Sequence, residues 1–126
     1  MDLKALLTIS VADKVFANPK RIALLQQIQA CGSISQGAKL AGMSYKTAWD
    51  SVKDMNTRLS EPVVNSEKGG KGGGGAKLTS FGERLLQMYA LTDQMQDMVL
   101  EALQNQTIPM NSLLDVMGHL SLKTSA

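Results

Sequence analysis

Five polar and aromatic residues cluster at helical spacing in the middle of the chain: Tyr45, Lys46, Thr47, Asp50 and Lys53. Side chains of these types exchange hydrogen bonds with base edges in the major groove of duplex DNA, and lysines also contact its phosphates. A threonine additionally offers a methyl group to thymine. The pattern therefore indicates a surface for double-stranded DNA, provided that a helix presents these residues together.

Two short helices around a tight turn would provide that presentation. Ser33 and Gln36 form a capping-box pair that begins a helix, which ends near Gly42. Ser44 caps the next helix, from Tyr45 to about residue 59. Its apolar stripe is spaced four, three and four residues apart: Ala48, Val52, Met55 and Leu59. This is helix-turn-helix spacing, with the second helix as the DNA-reading element.

The interior of this helix pair is predicted from the same pattern. We expect Val52 and Met55 to face the core with Ile34 and Leu40. Small residues are needed where the two helices cross, and Ala38 and Ala41 meet that need. Gly42 supplies the backbone freedom of the turn. Similar helix pairs occur in proteins that bind no nucleic acid, so this pattern alone leaves both interpretations open.

A glycine tract follows the helix pair. Residues 62–64 and 76–79 read as two short strands around Gly69–Gly75, and the segment carries three lysines: Lys68, Lys71 and Lys77. A glycine-rich hairpin with lysines suits contact with the sugar-phosphate backbone, as in the wing of a winged helix. A flexible linker is the open alternative. The tract also satisfies G-x-G-x-x-G, but six glycines in seven residues do so trivially and no βαβ unit surrounds them.

The flanking segments predict further elements. Residues 5–11 read as a strand, a weak turn follows near Val15, and a helix runs over 20–31 with Asn18 as N-cap and Gly32 as its end. From Thr79 a long helix extends to about residue 105. Its apolar stripe is wider than one small domain needs, and we expect it to pair with a second copy through eight residues: Phe81, Leu85, Met88, Leu91, Met95, Met98, Val99 and Ala102. Packing against its own domain is the alternative.

Composition limits the class of protein. The chain has 126 residues, 44% of them hydrophobic and 4% aromatic, which favours helices packed by aliphatic and methionine side chains. Residues 1–84 carry a net charge of +5 and residues 85–126 a net charge of −3. No signal peptide or membrane-length apolar run is visible, so we expect a cytoplasmic protein that makes no membrane contact.

The sequence shows no pattern of residues suited to catalysis or to metal binding. The single histidine, His119, has no cysteine or carboxylate cluster near it in the sequence. The single cysteine, Cys31, is expected to be a small buried helix residue. Trp49 lies beside the apolar stripe and is expected to be mostly packed, with DNA contact as the alternative. We predict no catalytic residue, no metal site and no cofactor in this chain.

Three sequence blocks resemble the N-terminal half of the ModE family, molybdate-responsive transcriptional regulators with a LysR-like DNA-binding domain: residues 32–39, residues 42–50, and residues 69–82. The resemblance covers nearly the whole chain. It implies a winged helix-turn-helix, a dimer formed through the long helix, and an inverted-repeat operator upstream of molybdate-transport genes. In the family, molybdate binds the C-terminal half, whose first ligand motif opens with a run like Thr124-Ser125-Ala126. We therefore expect a fragment of a longer regulator, with a naturally short relative that binds DNA without the sensor as the alternative.

The sequence thus predicts a mainly α protein: a winged helix-turn-helix over residues 1–79, a dimerisation helix over 80–106, and a short helix with the start of a linker over 107–126. Its predicted partners are double-stranded DNA and a second copy of itself. The residues expected at DNA are Ser33, Ser35, Gln36, Ser44, Tyr45, Lys46, Thr47, Asp50, Lys53, Lys68, Lys71 and Lys77. The alternative is a dimeric helical module that binds other proteins and no DNA.

Overall fold

The computed structural model describes residues 3–67 and 75–105. In chain order the elements are β1 (Ile9–Val11), β2 (Lys14–Ala17), α1 (Pro19–Cys31), α2 (Ile34–Leu40), α3 (Tyr45–Arg58), β3 (Val64–Ser66), β4 (Ala76–Leu78) and α4 (Ser80–Asn105). The described residues divide into two compact units, Leu6–Leu91 and a second that contains residues 3–5 and 92–105. The described part of the protein is therefore mainly helical, as predicted, and it contains two small antiparallel hairpins, of which the sequence predicted one.

The N-terminal hairpin corrects the sequence prediction. The predicted strand over 5–11 is confined to β1, and the segment predicted as a weak turn forms β2, which pairs antiparallel with β1. Ala12 and Asp13 connect the strands with positive φ angles of 51° and 65°. Such two-residue turns usually contain Asn or Gly, and neither residue is present here, so the usual hairpin signal is missing.

Helix α1 begins and ends as predicted. The Asn18 side chain accepts a hydrogen bond from the Arg21 amide at 2.8 Å, and Gly32 ends the helix at a φ of 72°. The buried face consists of Ile22, Leu24, Leu25 and Ile28. Cys31 is exposed, which corrects the prediction that it is buried. The reason is its place as the last residue of the helix, beyond the turn that contacts the core.

Helices α2 and α3 are joined by a tight turn in which Gly42 has a φ of 73°. Helix α2 comes close to α1 at Gly37, where an added Cβ would lie 3.0 Å from the Ile28 side chain. The predicted crossing residue Ala38 is buried as well. Leu40 was predicted to face the core, and this was wrong: it is 55% exposed, because the buried stripe of α2 consists of Ile34, Gly37 and Ala38, and Leu40 lies beside that stripe.

One continuous hydrophobic core fills the unit Leu6–Leu91. Every element of that unit except β1 supplies buried side chains, and Ile9 and Val11 of β1 pack against them while partly buried. The largest fully buried members are Phe16, Leu24, Leu25, Ile28, Met55 and Val63. The start of α4 contributes Leu85 and Tyr89, and the Tyr89 hydroxyl donates a 2.7 Å hydrogen bond to the Leu7 carbonyl. In the part of the chain that the structure describes, no helix is long and apolar enough to cross a bilayer.

Candidate nucleic-acid interface

The sequence-predicted residues of α3 share one exposed surface. We call Tyr45, Lys46, Thr47, Asp50 and Lys53 the polar face of α3; all five are exposed, with Tyr45 at 57%. The opposite side of the helix carries Ala48, Val52 and Met55, which are buried. Because burial of this stripe fixes the rotation of α3, the polar face must point to solvent.

The N-terminus of α3 is held by a local hydrogen-bond pair. The Ser44 hydroxyl accepts the Thr47 amide at 3.1 Å and donates to the Thr47 Oγ1 at 2.9 Å. Ser44 is therefore the N-cap that the sequence predicted. Since Oγ1 of Thr47 accepts this bond, its own hydroxyl proton stays available to an outside acceptor, and its methyl group is held in a defined direction.

Polar residues also begin α2. Ser33 is half-buried and accepts the Gln36 amide at 3.1 Å as the N-cap of α2. Ser35 and Gln36 are exposed on the first turn. Two helix beginnings thus present polar side chains and free amide groups to solvent, which suits contact with phosphate oxygens.

The β3–β4 hairpin lies where the sequence predicts a wing. Asn65 pairs with Lys77, which is exposed, and Ser66 pairs with Ala76, which is buried. The Ala76 amide donates a 2.9 Å hydrogen bond to the carbonyl of Gly32, so the hairpin base lies against the end of α1. Lys68 and Lys71, together with most of the glycine tract, lie outside the described residues.

An ion-pair network that was not predicted from the sequence joins α3 to α1. Oδ2 of Asp54 accepts hydrogen bonds from Arg21 of α1 at 2.7 Å and from Arg58 at 2.9 Å. The pKa of the Asp54 carboxyl lies below its ordinary value, mainly because Arg58 donates a hydrogen bond to it. The hydrogen bond from Arg21 and the positive charges of both arginines lower the pKa further, while partial burial of the carboxyl acts in the opposite direction. Only the i, i+4 pair of Asp54 and Arg58 could have been found from sequence.

A second missed residue, Asn56, links α3 to β3. Its side-chain amide bonds to the backbone of Val63 and Val64 through three contacts of 2.8 to 3.1 Å. An asparagine inside a helix carries no sequence signal for this role, since its partners lie seven and eight residues away.

The residues predicted to form a dimer divide into groups. Leu85 is buried in the core of its own chain and Phe81 packs against that core. Ala102 is buried, while Met95 and Val99 are half-buried. Three members are exposed: Met88 at 68%, Leu91 at 49% and Met98 at 61%. The first turns of α4 therefore serve their own domain, and exposed apolar surface remains further along.

The remaining candidate residues are Trp49, possible metal ligands and His119. Trp49 is half-buried and packs against the core, which agrees with the favoured interpretation. Within residues 3–67 and 75–105, no three His, Cys, Asp or Glu side chains lie close enough to hold a metal ion. His119 lies outside these ranges.

Three helices followed by a two-stranded hairpin, with a polar helix face beside that hairpin, are compatible with a winged-helix DNA-binding protein. Comparison with curated proteins gives the family. The chain is 52% identical over 126 residues to the transcriptional regulator ModE of Yersinia pestis and 48% identical over 127 residues to the DNA-binding transcriptional dual regulator ModE of Escherichia coli. It is 42% identical over 107 residues, 85% of this chain, to the molybdenum-pterin-binding protein MopB of Rhodobacter capsulatus, of which it covers 39%. No protein-family model matches.

These identities confirm the resemblance: over its whole length the chain is homologous to the N-terminal region of ModE-family transcriptional regulators. It spans about half the length of the curated ModE proteins that it matches, 48% in both cases.

Proposed function

We propose that this protein is the DNA-binding part of a transcriptional regulator and reads a specific duplex sequence with α3. The polar face of α3 is the observation that carries the proposal, because all five of its residues are exposed while Ala48, Val52 and Met55 of the same helix are buried in the core. Lys46, Thr47 and Asp50 would reach base edges in the major groove. Tyr45, Lys53, Ser44 and the α2 residues Ser33, Ser35 and Gln36 would contact nearby bases or backbone.

The β3–β4 hairpin would act as a wing. Its glycine tract lets the tip approach the sugar-phosphate backbone closely, and Lys68, Lys71 and Lys77 would neutralise phosphates. The winged helix-turn-helix would occupy residues 1–79, followed by a dimerisation helix over 80–106 and a linker region over 107–126.

A second copy of the chain is the proposed partner of α4. The exposed side chains of Met88, Leu91 and Met98 provide flexible apolar surface of the kind that helix interfaces use. A two-fold dimer would place two copies of α3 one DNA turn or a multiple apart, so that the operator is an inverted repeat.

The names of the relatives suggest which genes are controlled. We propose molybdate-transport or other molybdenum-related genes, with the protein acting in the cytoplasm and without catalysis of its own. We assign no cofactor to the residues of this chain, since molybdate would bind the C-terminal half of the longer family members.

Selection from random duplexes tests this function most directly. We expect one inverted-repeat sequence to be enriched, and affinity for it to fall with salt at a logarithmic slope of about −0.9 per neutralised phosphate. Lys46→Ala or Thr47→Val should cost about 1–3 kcal/mol on the selected site and relax base preference. Lys71→Ala should weaken cognate and random duplexes alike.

The exposed Asn65 on β3 offers a control, since Asn65→Ala should leave affinity and preference unchanged. Equal losses on cognate and random DNA for the α3 and hairpin variants would contradict the division of roles. No salt-dependent duplex binding at all would favour the other candidate, a dimeric module that binds proteins.

A further inference from the structure

Asn56 uses its whole side-chain amide to hold one short piece of backbone. Its Oδ1 accepts the amides of Val63 and Val64 at 2.8 and 3.1 Å, and its Nδ2 donates to the Val64 carbonyl at 2.9 Å. The amide therefore supplies β3 with both the acceptor and the donor that a neighbouring strand would supply. The Asn56 side chain therefore hydrogen-bonds to Val64, the first residue of the hairpin, in the way that the backbone of a neighbouring strand would.

The segment that Asn56 holds is the base of the hairpin. Val63 and Val64 are almost completely buried, so their polar backbone groups need partners inside the protein. The Val63 carbonyl is used from the other side, where it accepts the Thr79 amide at 3.0 Å just after β4. The Thr79 hydroxyl donates to the Pro62 carbonyl at 2.7 Å. Hydrogen bonds thus link the residues just before β3 to the residue just after β4, and Asn56 connects this hairpin base to α3.

The connection continues to the DNA-facing residues of both elements. Asn56 lies on the same helix as the polar face of α3, so the positions of these residues relative to one another are rigid. Val64 pairs with Leu78, next to Lys77 on β4. A shift of the hairpin base would therefore move Lys77 relative to Lys46, without changing either residue.

We propose that Asn56 is a positioning residue that fixes the hairpin relative to α3, so that phosphate contacts by the hairpin and base contacts by α3 form on one duplex at the same time. This inference rests on the proposed function. Binding through two pre-arranged elements avoids the free-energy cost of ordering one of them on the DNA. Without Asn56 the hairpin keeps its contact with the end of α1 through Ala76 and Gly32 but loses its side-chain hydrogen bonds to α3, and with them its fixed position relative to that helix.

The first test needs no DNA. In Asn56→Ala and Asn56→Leu, we expect amide hydrogen exchange at Glu67 and Ala76 to become at least about tenfold faster. These amides donate to the carbonyls of Gly75 and Gly32 and do not contact Asn56. Exchange in α1 should stay unchanged, which shows that the domain is folded. Asn65→Ala is the matched control on the same hairpin.

Faster exchange confined to Val63 and Val64 would overturn the proposal, because it would show that Asn56 satisfies two amides and positions nothing else. Asn56→Asp keeps the acceptor and loses the donor to Val64, so its exchange should lie between those of the wild type and Asn56→Ala.

The second test measures DNA affinity in a double-mutant cycle. Lys77→Ala should lower affinity several-fold in the wild-type background and have little effect in the Asn56→Ala background, whereas the effect of Lys46→Ala should be the same in both. An equal effect of Lys77→Ala in both backgrounds overturns the proposal. If the wild type binds no duplex, the proposed function fails, while the exchange experiment still decides whether Asn56 positions the hairpin.

Discussion

Arg21 and Asp54 form a 2.7 Å ion pair that joins α1 to α3. The same Nη1 of Arg21 lies 3.2 Å from the carbonyls of Val15 and Phe16 in β2, so one guanidinium connects α1 to both β2 and α3. Asp54 also accepts from Arg58 within α3. Since α3 carries the polar face proposed to contact DNA, this network supports that helix on the side opposite to Asn56.

Asp54→Asn should destabilise the protein. The variant leaves Arg21 and Arg58 without a charged partner while keeping the side-chain volume, and hydrogen bonds to charged groups contribute about 1.5–3 kcal/mol each when well formed. Because these side chains are 20–30% exposed, we expect a smaller total loss of about 1–2 kcal/mol. Urea unfolding at pH 7 measures it, and Asp50→Asn, an exposed carboxylate on the same helix, serves as the control.

The Asp54 interaction should also depend on pH. The pKa of Asp54 in the folded protein lies below its ordinary value of 3.8, so the unfolded chain takes up this proton first as the pH falls. The stabilisation is fully present above the unfolded pKa and is lost as the pH falls through it towards the folded pKa. The free energy of unfolding should therefore drop less between pH 7 and pH 3 in Asp54→Asn than in the wild type. Equal drops would show that Asp54 does not contribute to acid sensitivity.

Gly82→Ala should be among the most damaging single-methyl substitutions. A Cβ at Gly82 would collide with the backbone carbonyl of Val63, and this carbonyl is held in place by its own hydrogen bond from Thr79. Helix propensity favours alanine by about 1 kcal/mol, yet the clash should reverse the sign and cost about 2 kcal/mol or more. Thermal unfolding gives the melting temperature of Gly82→Ala, and Ser80→Ala, at an exposed position two residues earlier, serves as the control. An unchanged or higher melting temperature would contradict it.

Ala12→Asn should stabilise the N-terminal hairpin. Ala12 has a φ of 51°, a left-handed conformation that costs an alanine about 1 kcal/mol and that asparagine adopts more readily. We expect a gain of about 0.5–1 kcal/mol in the free energy of unfolding, measured by urea titration. DNA affinity should stay the same, because the turn lies outside the proposed interface. A loss of stability would show that the alanine is not strained.

The double variant Leu91→Glu, Met98→Glu should dissociate the proposed dimer. Both side chains are exposed in the single chain, so charges there should leave the fold intact and disfavour an apolar interface. Analytical ultracentrifugation should show a dimer for the wild type and a monomer for the double variant, with equal helix content by circular dichroism. Leu85→Ala is the contrasting case: this residue is buried in its own core, and its truncation should cost about 2–4 kcal/mol of stability. A monomeric wild type at micromolar concentration would contradict the dimer proposal.

Elements with strong local signals were predicted closely. Asn18 with Pro19 and Gly32 marked both ends of α1, and Ser44 marked the start of α3. The spacing of Ala48, Val52 and Met55 set which side of α3 is buried, and the exposure of its polar face follows directly. The first hairpin was predicted only in part: β1 was predicted as a strand and β2 was not, because the turn at Ala12 and Asp13 lacks the residues that usually identify a hairpin.

What the sequence by itself determined was the order of the helices, their caps and the face that α3 leaves exposed, since these depend on residues within one or two helical turns. Tertiary structure alone decided that Cys31 and Leu40 are exposed, that Arg21 meets Asp54 across 33 residues, and that Asn56 holds the hairpin base. These outcomes depend on where one element ends against another and on which buried backbone groups lack a partner, and no local pattern records either of them.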